Sequence, residues 1–387
     1  MKTGIYGGTF NPPHIGHVKA AATAIASLGL DRLIVLPTGE PPHKQIPEGS
    51  PSGEQRLEMV KLAFSGLDRV LVSDLELRRG GPSYTCDTIR ALREEYPEDE
   101  LFLIMGTDMF ATLDRWYNAG YILDEVCPAV LAREEDDMPE LLEKAESFRR
   151  ELREETVIIR SEVIEASSTA VREKVKTRGG RELVPPAVYA YIIRSRLYGA
   201  RPDFDWLRTQ AYAWLKPKRT AHVAGCEAEA VNLARRWGED ADDAREAAIL
   251  HDITKKYELA EQLILCGKYG IITDNVEKRE FKLLHAKTGA AVAESEFGVS
   301  ERVRDAIQWH TTGKADMSLL EKIIYLADYI EPTRDFDGLT ELRRLAYEDI
   351  DGALRLGLEM SVEDMKQRGI TPHCRTQEAI DYLRQNG

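Results

Sequence analysis

Two rhythms of apolar and polar positions divide the chain. In the first half, short apolar runs begin near residues 3 (TGIYGG), 32 (RLIVLPT), 69 (RVLVSDLEL), 100 (ELFLIMG), 128 (PAVLA) and 156 (TVIIRSEV). Between them lie segments such as HVKAAATAIASLG, EQRLEMVKLAF and TIRALREEY, whose apolar residues recur at three- and four-residue spacing. The runs predict strands and the spaced segments amphipathic helices. Strand–helix alternation predicts right-handed crossovers and a mainly parallel α/β sheet covered on both faces. Ligands of such sheets bind beyond the carboxyl ends of the strands, so chemistry is expected in the loops after IYGG, VLPT and LIMG.

From about residue 203 the strand pattern stops. AEAVNLARRWG, AREAAILHDITK, SERVRDAIQWH and LLEKIIYLADYI all carry helical spacing, predicting an all-α second domain. The boundary is expected near 196–205, where Gly199 and Pro202 can stop a helix, giving domains of 1–196 and 203–387. A length of 387 residues suits two cores better than one.

Composition narrows the function. The chain is 43% hydrophobic and 30% charged, with a net charge of −14, which disfavours a general nucleic-acid partner. No apolar run reaches membrane-spanning length. The opening MKTGIYGG lacks the regions of a signal peptide. The five cysteines are scattered and odd in number, as expected of reduced thiols in the cytoplasm. Small anionic substrates fit, provided local cations, helix N-termini or metals hold them. Oligomeric state is open, and a homo-oligomer is compatible with the sequence.

The stretch GGTFNPPHIGH, residues 7–17, holds the first cluster of candidate chemistry. Gly7 and Gly8 let a ligand approach the backbone. Pro12 and Pro13 stiffen the turn, and His14 and His17 fall on one face of the starting helix, whose exposed amides favour anions. This is neither a P-loop nor a G-x-G-x-x-G fingerprint. His14-Ile15-Gly16-His17 resembles the H-x-G-H mark of the nucleotidylyltransferase superfamily, and the fuller string resembles its bacterial nicotinate-nucleotide adenylyltransferase branch. PPHK (41–44), YTCDT (84–88), MGTD (105–108), RWY (115–117) and SSTAVR (167–172) extend the resemblance over residues 1–196. It implies a Rossmann-like domain that transfers the adenylyl group of ATP to nicotinate mononucleotide with Mg2+. It also implies roles for His14, His17, Lys44 and Arg172 in charge stabilisation. Gly8, Thr9, Phe10, Gly106, Asp108 and Ser168 are implied to bind ATP, and Thr85, Trp116 and Tyr117 the nicotinate. Nicotinamide mononucleotide and phosphopantetheine are alternative acceptors.

In the helical half, His222, His251, Asp252, His285, His310 and Asp328 each sit in an apolar helical stripe and are expected to point inward. Several inward imidazoles and carboxylates are costly to bury without a shared partner, and a metal pair is the simplest one. Nitrogen and oxygen donors without thiolates suit Fe, Mn or Zn, with Asp252 placed to bridge two ions. The order H…HD…H…H…D resembles the HD phosphohydrolase superfamily. HTTGKADMSLLEKIIYLADYIEPTRDFDG (310–338) more narrowly resembles its bacterial proteins that split diadenosine tetraphosphate symmetrically into ADP. That resemblance implies the six residues as ligands of two transition metals, Fe or Mn, with Lys255 and Arg334 as phosphate partners. A non-catalytic nucleotide sensor, or a hydrolase of another nucleotide, is the alternative. LLHAKTG departs from the expected pattern in its Ala-Lys-Thr, and His373 is expected to be an ordinary loop residue.

Overall fold

The computed structural model describes residues 1–42, 45–132, 138–152, 155–162 and 164–386. The chain divides into two compact units, Met1–Arg201 and Pro202–Gly387. Residues 197–201 stay with the first unit, where the Arg201 N–H donates to the Val175 carbonyl at 2.9 Å.

The first unit runs β1 (Lys2–Gly8), α1 (Ile15–Leu28), β2 (Arg32–Pro37), α2 (Gly53–Phe64), β3 (Val70–Val72), α3 (Leu75–Arg79), α4 (Thr85–Glu95) and β4 (Glu100–Gly106). It continues through α5 (Thr107–Ala111), α6 (Ala119–Glu125), β5 (Cys127–Ala132), α7 (Met138–Leu152), β6 (Val157–Arg160), α8 (Ser168–Lys176) and α9 (Pro186–Arg194). The six strands form one sheet in the order β3-β2-β1-β4-β5-β6, and every pairing is parallel. Ile5 sits between Ile34 and Leu103, so the centre of the sheet is apolar on both sides. Chain order reverses between β1 and β4, and their carboxyl ends diverge there to open a crevice.

One strand is shorter than its sequence run. The stretch from Arg69 to Leu77 pairs only over Val70–Val72, at the sheet edge; Leu75–Arg79 turns helical, and the Ser73 hydroxyl accepts the Leu75 N–H at 3.3 Å. Leu, Glu and Arg are good helix formers, and an edge strand has one partner to hold it extended.

The second unit is all-helical: α10 (Phe204–Ala213), α11 (Thr220–Trp237), α12 (Ala241–Leu250), α13 (Leu259–Tyr269), α14 (Asn275–Arg279) and α15 (Leu284–Phe297). It ends with α16 (Glu301–Trp309), α17 (Leu319–Ile330), α18 (Leu339–Glu348), α19 (Ile350–Gln367) and α20 (Cys374–Asn386). Ala230, Ala234, Ala244, Ala247 and Ala248 are fully buried in a core shared with Ile307, Ile323 and Leu326. These short side chains let α11 and α12 pack closely. No described helix is long and apolar enough to cross a membrane.

Two candidate active sites

In the first unit, the loop after β1 delivers the H-x-G-H residues to the crevice. His14 is the N-cap of α1, and its backbone N–H donates to His17 Nδ1 at 3.1 Å. The two rings lie 3.7 Å apart between centroids. The first turn of α1 holds no acidic residue, so nothing there competes with a bound anion for the helix amides. A β-carbon added at Gly7 would meet no atom within 4 Å, which leaves this backbone open to a ligand.

A cavity of about 770 Å³ lies at the carboxyl ends of β1 and β4. Its size suits a nucleotide or a dinucleotide. Gly8, Thr9, His17, Thr85, Gly106, Asp108, Trp116 and Tyr117 line it, so residues implied for ATP and for nicotinate share one space. Thr85 opens α4. Trp116 Nε1 donates to the Thr112 hydroxyl at 3.4 Å, and the Tyr117 ring lies 4.8 Å from that of Tyr84. Glu76 and Thr88, which the sequence reading passed over, line the cavity too, and the Thr88 hydroxyl donates to Glu76 at 2.9 Å. Burial pushes the Glu76 carboxyl up against the pull of Thr88 and Arg79.

Four of the implied residues, Phe10, Ser168, Arg172 and His14, lie outside the cavity lining. Phe10 is 2% exposed, with its ring packed edge-on against Phe64 and within 3.1 Å of where a Gly8 β-carbon would stand. It supports the glycine turn from beneath and does not line the cavity. Ser168 and Arg172 brace the same loop: the Ser168 hydroxyl donates to the Pro12 carbonyl at 2.8 Å, and Arg172 Nη1 to the Asn11 carbonyl at 2.7 Å. His14 is largely buried and lies outside the cavity lining. Lys44 lies outside the described residues.

In the second unit, four imidazoles and two carboxylates converge. His222 comes from α11 and His285 from α15. His251 and His310 sit one residue past the ends of α12 and α16, and do not lie within a helical stripe as their patterns suggested. At a helix end the ring can fold back on the last turn. Nδ1 of His251 reaches the Ala248 carbonyl at 2.7 Å and that of His310 the Ile307 carbonyl at 2.6 Å; His285 pairs likewise with Lys282. Nδ1 of His222 instead meets Glu331 Oε1 at 3.0 Å. All four rings are thereby anchored through Nδ1 and turn Nε2 inward.

Asp252 stands between two pairs of these rings. Its Oδ2 lies 3.6 Å from His222 Nε2 and 3.4 Å from His251 Nε2, and its Oδ1 3.2 Å from His285 Nε2 and 3.7 Å from His310 Nε2. Asp328 Oδ1 adds a contact of 3.1 Å to His222 Nε2. Burial alone would raise Asp252 and Asp328. The histidines and Lys255 outweigh it and hold both carboxyls well below the usual range. Burial, with Lys255 nearby, pushes His285 down to about 4, so its ring is neutral near pH 7.

These donors fit a metal pair. Nε2 of His222 and of His251 are buried without a hydrogen bond. Nε2 of His285 and of His310 face each other at 3.1 Å, close enough for one cation to take both. Two groups, His222 with His251 and Asp328, and His251 with Asp252 and His310, bring imidazole nitrogens and carboxylate oxygens close enough to hold a metal ion.

Cations ring the carboxylates. Lys255 Nζ lies 3.1 Å from Asp252 Oδ1, Arg334 Nη2 2.6 Å from Asp328 Oδ1, and Arg219 pairs with Asp252 Oδ2. Arg219 and Glu331 escaped the sequence reading. Each lies three residues from an expected ligand, Arg219 before His222 and Glu331 after Asp328, and that spacing is the signal that could have found them. His373 is more than a loop residue: it is buried, and its Nε2 lies 2.7 Å from Asp274 Oδ2. Ala-Lys-Thr in LLHAKTG is built into the packing, with Lys287 Nζ 2.6 Å from Glu277 and the Thr288 hydroxyl 2.6 Å from Gln262.

Fold and site together define a nucleotidyl-transfer domain joined to an HD domain. Residues 5–174 match the cytidylyltransferase-like family, and residues 219–333 match the HD domain. A "Probable nicotinate-nucleotide adenylyltransferase" of a Synechococcus strain is 40% identical over 200 residues, which cover 51% of this chain and 94% of that protein. A protein of the same description from Dehalococcoides mccartyi is 40% identical over 204 residues, covering 51% of this chain and 97% of that one. A Clostridium acetobutylicum crystal structure described as a "predicted HD superfamily hydrolase involved in NAD metabolism" is 36% identical, covers 49% of this chain and all of that one, and has a TM-score of 0.47. The chain belongs, through its first half, to the nicotinate-nucleotide adenylyltransferase family, and carries an HD domain in its second.

Proposed function

We propose that the first unit transfers the adenylyl group of ATP to nicotinate mononucleotide. A phosphate oxygen of the mononucleotide bonds to the α-phosphorus, the bond from that phosphorus to the bridging oxygen of the β-phosphate breaks, and pyrophosphate leaves. No protein nucleophile is needed, so the chain's work is positioning and charge stabilisation. The observation that supports this reading is the cavity at the β1–β4 switch point, which His17, Thr85 and Trp116 all line. His17 and the α1 amides hold the triphosphate, with His14 and Lys44 assigned to the same charge. Ser168 and Arg172 keep the loop in place. Asp108 suits a ribose hydroxyl or the hydration shell of Mg2+. Trp116 and Tyr117 flank the pyridine ring, and the amides near Thr85 meet its carboxylate.

For the second unit we infer metal-dependent hydrolysis of diadenosine tetraphosphate to two ADP. His222, His251, Asp252, His285, His310 and Asp328 would hold the metal ions, which would supply Lewis acidity and neutralise phosphate charge. Lys255, Arg334 and Arg219 are placed to take the outer phosphates. Water oxygen bonds to one inner phosphorus as the central anhydride bond breaks. The two activities have a common logic, since transfer onto a second ATP in place of the mononucleotide makes diadenosine tetraphosphate and pyrophosphate.

The deciding experiment incubates the full chain with ATP plus each candidate acceptor, and separately with diadenosine tetraphosphate, with and without chelator, identifying products by mass. Deamido-NAD from the first mixture and chelator-sensitive ADP from the second are expected. No dinucleotide from nicotinate mononucleotide refutes the first assignment. Intact diadenosine tetraphosphate refutes the second and favours a sensor or another nucleotide.

A further inference from the structure

Arg56, on α2, is 2% exposed, yet among the described residues it has no carboxylate within 4.0 Å. Its guanidinium is spent on backbone. Nη1 donates to the Thr9 carbonyl at 2.8 Å and to the Thr38 carbonyl at 2.7 Å, and Nη2 to the Gly39 carbonyl at 3.3 Å. Thr9 follows β1 and Thr38 follows β2, and both line the cavity. The same two loops are stitched once more, by the Thr38 N–H to the Gly8 carbonyl at 2.9 Å. From the other side the Ser83 hydroxyl accepts the Gly39 N–H at 3.1 Å.

Two physical consequences follow. A buried, unpaired cation is costly, and three carbonyl dipoles answer it only in part. Its buried Nε is left without a hydrogen-bond partner. The three carbonyl oxygens, meanwhile, are engaged by Arg56, so their negative ends are not free to turn toward a phosphate. A planar fork can bridge two loops at once; a lysine point charge cannot.

We propose that Arg56 is a positioning residue for adenylyl transfer, clamping the loops after β1 and β2 so that their amides and His17 stay aimed at the triphosphate. This rests on the transferase reading above.

The test is steady-state dinucleotide formation by the full-length protein, with thermal unfolding recorded for each variant. Arg56→Lys keeps the charge and loses the fork. It is expected to lower kcat about tenfold or more while the KM for ATP stays within about threefold. Arg56→Met, which loses both, is expected to raise the KM for ATP as well. Should either variant fail to fold, Ser83→Ala loosens the same Gly39 turn and is expected to lower kcat about threefold with an unchanged melting profile. Arg56→Lys turning over within twofold of wild type overturns the proposal. So does a fully active Ser83→Ala. A wild-type protein that makes no dinucleotide overturns the transferase reading, and the clamp with it.

Discussion

His285 and His310 present Nε2 to Nε2 across 3.1 Å, each with Nδ1 committed to the carbonyl three residues earlier. Neither ring can turn away without losing its backbone hydrogen bond, so the two nitrogens converge only in the folded state. A cation held by both would bind only that state. Chelation of the full-length protein should therefore lower the unfolding midpoint of the second unit, and Mn or Fe should restore it. A hundredfold excess over the dissociation constant contributes about 2.7 kcal/mol. Calorimetry with and without chelator reads this directly, and a midpoint indifferent to metal counts against the site.

Glu331 is fully buried, accepts from the Thr333 N–H at 2.7 Å and fixes His222 through Nδ1. Burial opposes its ionisation, but Thr333 and His222 hold its carboxyl below the usual range. Glu331→Gln should weaken metal affinity about 10- to 100-fold, measured by competition with a chelator. Gly225 must stay small for the same reason, since a β-carbon there would stand 2.5 Å from Glu331 Oε2. Gly225→Ala should reproduce the affinity loss.

Asp252 touches both halves of the HD cluster, so Asp252→Asn should cut hydrolysis by at least about 100-fold. Dinucleotide synthesis should be unchanged, because no residue of that site lies beyond Arg201. Given ATP alone, this variant should accumulate diadenosine tetraphosphate, visible by mass. Its absence would remove the proposed link between the two activities.

Trp116→Ala should raise the KM for nicotinate mononucleotide about tenfold and leave that for ATP unchanged, the range expected when a cationic pyridine loses an aromatic face. Equal changes in both would place the indole elsewhere in the reaction.

Burial raises the Glu76 carboxyl, so the folded state holds its proton more tightly than the unfolded chain. That stabilises the fold below the unfolded value and is lost as pH rises through the folded one. Glu76→Gln should thus raise the melting midpoint at pH 8 by roughly 1–3 °C, and the gain should vanish near pH 4. A pH-independent difference would mean that packing, not ionisation, sets the effect.

Much of this was legible before any coordinates. Six apolar runs gave six parallel strands, because buried strands are continuous and their crossovers leave helical spacing between them. The convergence of His222, His251, Asp252, His285, His310 and Asp328 was legible because several polar residues among apolar neighbours need a shared partner. What escaped was geometry across the chain. Phe10 carries no mark that separates a ring under a turn from one facing a ligand. Ser168 and Arg172 reach loop carbonyls more than 150 residues away, a contact no local spacing encodes. No local pattern marks Glu331 or Arg56, because their partners His222 and Thr9 are brought to them only by the fold. The short β3 was hidden for a different reason, since an edge position weakens a strand without changing its letters.

The break between Arg201 and Pro202 leaves every residue assigned to transfer on one side and every residue assigned to hydrolysis on the other. Translation of a single message therefore delivers the two centres in equal number. A cell that makes this chain cannot raise the dose of one centre without raising the dose of the other, so any balance between them rests on turnover rates.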